Sequence, residues 1–258
     1  MNRYPQILNA YPMKDPSPLV TLASALADPP PWWQPHLEIA RGVVAQGASG
    51  QVVDALNAVR TPEVPVRFVD QSRLPAEEPY EAFIAREGGV PTRDNLHDLL
   101  NGVIWLGYPL TKRRLNRLQA EQIRVRGKSG PRGALRDALT LFDENGAVLH
   151  ATPTLIQALR ERDWTKLFVE LRTQWQSAQL MLFGHALLEK LMQPRKPITA
   201  HVWVVDAIDD AAIAASIAAN TWSGKPFLPL PVLGVPGWWH ENERASFYAD
   251  GSVFRRAR

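Results

Sequence analysis

At 258 residues, with 45% apolar and 21% charged side chains, the chain can bury a sizeable core without covalent help. It has no cysteine, which excludes thiol catalysis, disulfides and every cysteine-based zinc site and agrees with a reducing compartment. The net charge of +3 and the pI of 9.3 come from one place: residues 111–136 hold nine Lys and Arg side chains against Glu121 alone.

In chain order, residues 1–35 are rich in proline and should run extended, with one short helix near Leu19 to Ala27, as an N-terminal arm. No apolar core of a signal peptide appears there, and no stretch approaches the roughly 20 apolar residues that a membrane span needs. A cytoplasmic protein without a membrane partner is expected. The spacing of Leu37, Ile39, Val43 and Val44 predicts a helix from Pro35 to Gln46, and Ser49 should cap a second through Val59. Alternating Val64, Val66 and Phe68 predict a short edge strand. Helices are expected over Pro79 to Arg86 and Asp94 to Leu106, then from Thr111, read as an N-cap, to about Ile123.

Ala138 to Glu144, Asn145-Gly146 and Ala147 to His150 read as a β-hairpin, because Asn-Gly supplies the positive φ angles of a two-residue turn. After a short helix from Leu155 to Glu161, Trp164 to about Met192 reads as the longest helix, capped by Asp163. Ile198 to Val205 is the clearest strand, and Ala211 to Thr221 reads as helical. Pro226, Pro229, Pro231 and Pro236 predict an extended, polyproline-like surface wrap over residues 226–258. The fold class implied is α+β: one helix-dominated domain spanning residues 1–258, with a small β-sheet and hairpin and proline-rich extended ends.

Several familiar signatures fail. Gly127-Lys128-Ser129 resembles the end of a phosphate-binding loop, but Gln122 occupies the place of its first glycine. Asp143, Asn145 and Gly146 lack the spacing of a calcium loop, and no Gly-x-Ser-x-Gly elbow exists.

Polar groups on apolar elements remain. His97 and Asn101 share a helix face, as do His185 and Glu189, and His201 lies on the strand beside Thr199 and Trp203. Gly184 costs helix stability, and a usual reason is close approach of another backbone or a ligand. A histidine and a carboxylate four residues apart can form an oriented acid–base pair or share a divalent metal ion, which His97 or His201 would help to complete. The plainer alternative is that these groups knit helices together. Lys112 and Arg113 follow Thr111 at a helix start, where backbone N–H groups would also favour an anion. Asp137, Asp143 or Glu144 could supply that negative charge as well as a ligand could.

The stretches Asn95-Leu96-His97-Asp98-Leu99-Leu100-Asn101 with Trp105, Pro109, Thr111, Lys112 and Asn116, and Arg136 to Glu144, resemble an uncharacterised bacterial family. Phe183-Gly184-His185-Ala186 with Glu189, Leu230 to Trp238, and Phe247-Tyr248 to Arg255 extend the likeness to domain-of-unknown-function family 3025. It covers about Tyr80 to Arg256. The resemblance implies a bacterial origin and carries no activity, cofactor or catalytic residue with it.

The leading expectation is a hydrolase-like enzyme acting on a phosphorylated or otherwise anionic small molecule. His97 or His185 would serve as acid or base, Glu189 as the orienting carboxylate and Asp137 as a further catalytic carboxylate. Lys112 and Arg113 would hold the anion, with Asn101, Asp143, Glu144 and His201 as further substrate contacts. A divalent metal is the cofactor the set admits, on His185, Glu189 and His97. The alternatives are nucleic-acid binding through residues 111–136 and a non-catalytic interaction protein that docks through the proline-rich tail and exposed tryptophans.

Overall fold

The computed structural model describes residues 16–47, 50–126 and 133–256. The first described turn follows simple capping logic. Ser17 Oγ accepts the Val20 N–H, and Pro18 opens α1 (Pro18–Ala25) where no donor is needed. A 3₁₀ turn, Pro31–His36, buries Trp32 and Trp33 and leads into α2 (Leu37–Ala45). That helix starts two residues after the expected Pro35, which is spent inside the turn. α3 (Val52–Val59) follows, and its expected cap, Ser49, lies outside the described residues.

β1 (Arg67–Asp70) leads to α4 (Tyr80–Glu87), which stops at Gly88 with φ 65°, a conformation that favours glycine. β2 (Gly89–Thr92) then pairs with β1 in parallel as a separate two-stranded sheet. Asn95 caps α5 (Leu96–Gly107), its side chain accepting the Asp98 N–H at 2.8 Å. α6 (Pro109–Arg126) begins two residues before Thr111, so Thr111 is not its cap.

The expected hairpin is instead α7 (Ala134–Asn145) running directly into β3 (Gly146–His150). Leu135, Ala138, Leu139 and Phe142 fall at helical spacing and are all buried. Gly146 takes an extended φ of −75°, so Asn-Gly ends a helix here and turns no hairpin.

After α8 (Pro153–Glu161), the expected long helix is broken into a π turn at Lys166–Glu170, a 3₁₀ turn at Arg172–Gln176, β4 (Gln179–Leu182) and α9 (His185–Lys190). Its apolar stretch Met181, Leu182 and Phe183 is buried all round, and β4 finds a ladder with β3. An isolated helix offers no such pairing.

β5 (Thr199–Val204) occupies the expected strand, followed by α10 (Asp210–Ser216), α11 (Ala219–Trp222) and β6 (Leu228–Pro231). The main sheet has the order β4-β3-β5-β6, with β3 and β5 parallel and both outer strands antiparallel. The proline-rich tail is therefore no surface wrap at its start. Pro229 and Pro231 sit on an edge strand, where a missing N–H is tolerated, and Leu230, Val232, Leu233 and Val235 are buried. None of the nine tryptophans is fully exposed; Trp203, Trp238 and Trp239 are half-buried and the other six are buried. No helix among the described residues is long and apolar enough to cross a membrane.

His36 ties the N-terminal turn to this sheet: its Nε2–H donates to the Leu182 carbonyl at 2.8 Å. Burial lowers its pKa from 6.5 to about 4, against a smaller raising effect of that hydrogen bond. Below pH 6.5 the unfolded chain takes up a proton that the folded chain refuses, so this contribution is lost as pH falls towards 4. The loss should reach about 2–3 kcal/mol by pH 4.5. Urea unfolding at pH 7 and pH 4.5 checks this, because His36→Gln keeps a donor but cannot titrate. Equal acid sensitivity in the two proteins would remove the assignment.

Candidate functional site

α5 packs against α9, and α7 lies between α6 and α9, so the polar faces of these four helices meet around one cavity of about 360 Å³. α5 delivers His97, Asp98, Asn101 and Trp105, which recur at helical spacing. α6 delivers Lys112, Asn116 and Gln119, and α7 delivers Thr140, Asp143 and Glu144. His185 enters at the start of α9, and Tyr80 from α4 closes one wall.

Two networks line the cavity. In the first, the Lys112 ammonium, 3% exposed, donates to Asp143 Oδ1 at 2.5 Å and to Asn101 Oδ1 at 2.8 Å, and lies 5.4 Å from the Trp105 ring centroid. Asn101 Nδ2 in turn donates to the Tyr80 hydroxyl at 3.1 Å. Burial pushes the Asp143 carboxyl up, but the Lys112 charge and the nearby imidazoles outweigh it and hold the carboxyl below its ordinary value. Burial, with the charges of Asp98 and Asp143, raises Tyr80 well above its usual range, so the phenol keeps its proton.

The second network is a confrontation of imidazoles. His97 Nδ1 donates to Glu189 Oε2 at 2.8 Å, which turns His97 Nε2 inward to within 3.1 Å of His185 Nε2. Glu144 Oε2 stands 3.7 Å from the same His185 nitrogen. His97, Glu144 and His185 thus bring three ligand-type atoms within 4.8 Å of one another, and among the described residues they could hold a metal ion. Burial, above all, depresses His185 to about 3, so the ring is neutral at physiological pH. Burial and the Asp143 charge raise the Glu144 carboxyl.

The local fold explains why these groups meet. A Cβ on Gly184 would lie 2.4 Å from the Glu144 carbonyl oxygen and 2.6 Å from the Asn145 backbone. The close approach expected at Gly184 is that of another backbone, and it sets Glu144 beside His185.

Of the residues read from the sequence, His97, His185, Glu189, Asn101, Lys112, Asp143 and Glu144 gather here. His185 and Glu189 do not pair with each other, however; Glu189 serves His97, and Glu144 takes the place proposed for it beside His185. Three residues are not brought in. Asp137 faces Lys225 at 3.8 Å, and Arg113 is exposed on the outer side of α6. His201 lines a separate depression with Lys190 and Thr199.

The anion expected at the start of α6 is Asp210 of the same chain, whose carboxylate accepts the Leu110 and Thr111 N–H groups at 2.7 and 2.8 Å. Sequence reading missed Tyr80, Arg93, Asp98 and Gln119. Gln119 carried a signal, since Lys112, Asn116 and Gln119 form a polar stripe between the apolar positions Leu115 and Leu118.

No curated protein and no solved structure matches the chain. A family model described as protein of unknown function (DUF3025) matches residues 66–258, which span both networks and the whole main sheet. The chain belongs to the DUF3025 family.

Proposed function

We propose that the protein is a cytoplasmic bacterial enzyme, hydrolytic in chemistry, that acts on a phosphorylated or otherwise anionic small molecule in the cavity walled by His97, His185 and Glu144. The observation that carries this reading is the pair of imidazoles with facing Nε2 atoms, one of them oriented by a carboxylate, on an open cavity of ligand size. In this reading His97, held by Glu189, moves the proton. Neutral His185 and Glu144 flank the reacting group.

Buried Gln119 Oε1 and Thr140 Oγ1, both on lining residues, have no hydrogen-bond partner among the described residues and are suited to bind a polar guest. At the rim, Arg93 has its side chain 60% exposed while donating to Asp98, and can still face a substrate anion. Lys112 cannot do so without leaving Asp143, so its role is to hold α6 to α7. Incubating the protein with a panel of small phosphoesters, carboxylic esters and amides should yield turnover of at least one class. No turnover across the panel would contradict the hydrolytic reading.

A second reading has its own observation. Arg113, Arg117 and Arg124 are exposed and spaced to share one side of α6, which fits a nucleic-acid backbone. It predicts DNA or RNA binding that weakens steeply between 50 and 200 mM salt, by about a thousandfold if six phosphates are engaged. Absent or salt-insensitive binding removes it.

A further inference from the structure

Among the described residues the cavity lining includes four carboxylates, Glu81, Asp98, Asp143 and Glu144, and two permanent cations, Arg93 and Lys112. Each of those cations is already hydrogen-bonded to a carboxylate, at Asp98 and Asp143 respectively. An anionic guest entering alone would meet an excess of negative charge. A site of this kind attracts a cation first.

The hydrogen bonds say where the cation would sit. Glu189 can only accept, so a His97 ring that carries one proton carries it on Nδ1, and the lone pair of Nε2 points at His185. His185 then has two tautomers, and neither is comfortable. With the proton on Nε2, its buried Nδ1 is left bare without a well-formed hydrogen bond, in a pocket whose nearby backbone acceptor is the Asp143 carbonyl. With the proton on Nδ1, two nitrogen lone pairs face each other across 3.1 Å. A positive ion between the two Nε2 atoms resolves the second arrangement and leaves Nδ1–H to face the carbonyl.

Distance fits as well. Two imidazole nitrogens about 2.1 Å from one ion stand about 3.0 Å apart at a right angle and about 3.4 Å apart in a tetrahedron. The observed 3.1 Å falls between these. Glu144 Oε2, 3.7 Å from His185 Nε2 and within 4.8 Å of the His97 ligand nitrogen, supplies the third donor.

We propose that His97, His185 and Glu144 bind one divalent first-row transition metal ion, zinc foremost, with Glu189 as the positioning residue that fixes the His97 ring. The donor set, two imidazoles and a carboxylate, suits zinc, iron(II) or manganese(II) and disfavours calcium and magnesium, which prefer all-oxygen shells. The proposal deepens the hydrolytic reading and rests on the same cavity, but it gives His97 the role of a metal ligand in place of the proton-moving role above. The ion would lower the pKa of a bound water and supply the positive charge that an anionic substrate needs there.

The test is zinc titration of metal-stripped, untagged protein by calorimetry, with the visible spectrum of the cobalt(II) complex as a second readout. One ion per chain is expected. His97→Ala, His185→Ala and Glu144→Ala should each weaken binding at least tenfold. Glu189→Gln should weaken it about tenfold with the cobalt spectrum only shifted, as for a residue that orients a ligand. His240→Ala, on the exposed surface, should bind as wild type does. Thermal unfolding of each variant confirms that it is folded before titration, and the cobalt spectrum of wild type reports imidazole coordination independently of any variant. No heat and no cobalt spectrum with wild type, or zinc binding unchanged in folded His185→Ala and Glu144→Ala, would overturn the proposal. Hydrolytic turnover that survives chelator while zinc binding fails would remove the metal and leave the acid–base reading. Loss of both would remove both.

Discussion

Lys112→Met should destabilise the protein by about 3 kcal/mol, because it strands the Asp143 carboxylate in a largely buried position and removes the donor from Asn101 Oδ1. Replacing both partners is a different experiment from breaking the pair. Lys112→Met with Asp143→Leu removes two buried charges at once, and apolar replacements of similar size are often neutral or stabilising. The double variant should therefore recover most of the loss. Urea unfolding of the two singles and the double gives the coupling directly. A double variant no more stable than Lys112→Met would show that the pair holds no special place between α6 and α7.

Gly184→Ala should cost about as much by a purely steric route. The backbone there, with φ −66° and ψ 118°, is open to any residue, so no conformational strain enters. The added methyl would meet the Glu144 carbonyl oxygen at 2.4 Å and the Asn145 backbone at 2.6 Å, and neither is a flexible side-chain end that can swing away. The start of α9 must move off the end of α7. Overpacking of this kind costs about 1–3 kcal/mol, and contact with backbone puts it at the upper end. For a chain of this size, that lowers the melting temperature by about 6–10 °C. The same displacement separates Glu144 from His185, so zinc affinity should fall with stability. A variant that keeps both would contradict the packing argument.

How much of this was legible in the sequence depended on whether the signal was local. His97 and Asn101 share a face of α5 because four residues make about one helical turn, and that holds wherever the helix packs. The strand at Thr199–Val204 was legible because β-branched residues alternate there with little competition. Asn145-Gly146 misled because the dipeptide permits a tight turn without requiring one. The helical spacing of Leu135, Ala138, Leu139 and Phe142 outweighed it.

The broken helix after Trp164 was illegible for another reason. A short run buried on all sides fits a core helix or a central strand equally well, and only the partner β3 decides. Pairings across the chain were beyond reach altogether. His97 and Glu189 lie 92 residues apart, and no periodicity reports that their side chains meet. Asp210 took the place of the expected anion at α6 by the same long-range route, 99 residues from Thr111.

The facing histidines His97 and His185 are the centre of the proposed chemistry. Once a substrate class is identified, the most direct measurement is kcat and KM for wild type, His185→Gln and Glu189→Gln, with melting temperatures to confirm folding. The account predicts that His185→Gln loses about 10²–10⁴-fold in kcat/KM. Glu189→Gln should lower kcat with little change in KM, because it acts through the orientation of His97 and leaves substrate binding intact. Folded variants that both turn over at the wild-type rate would contradict the account and return this cavity to a structural role.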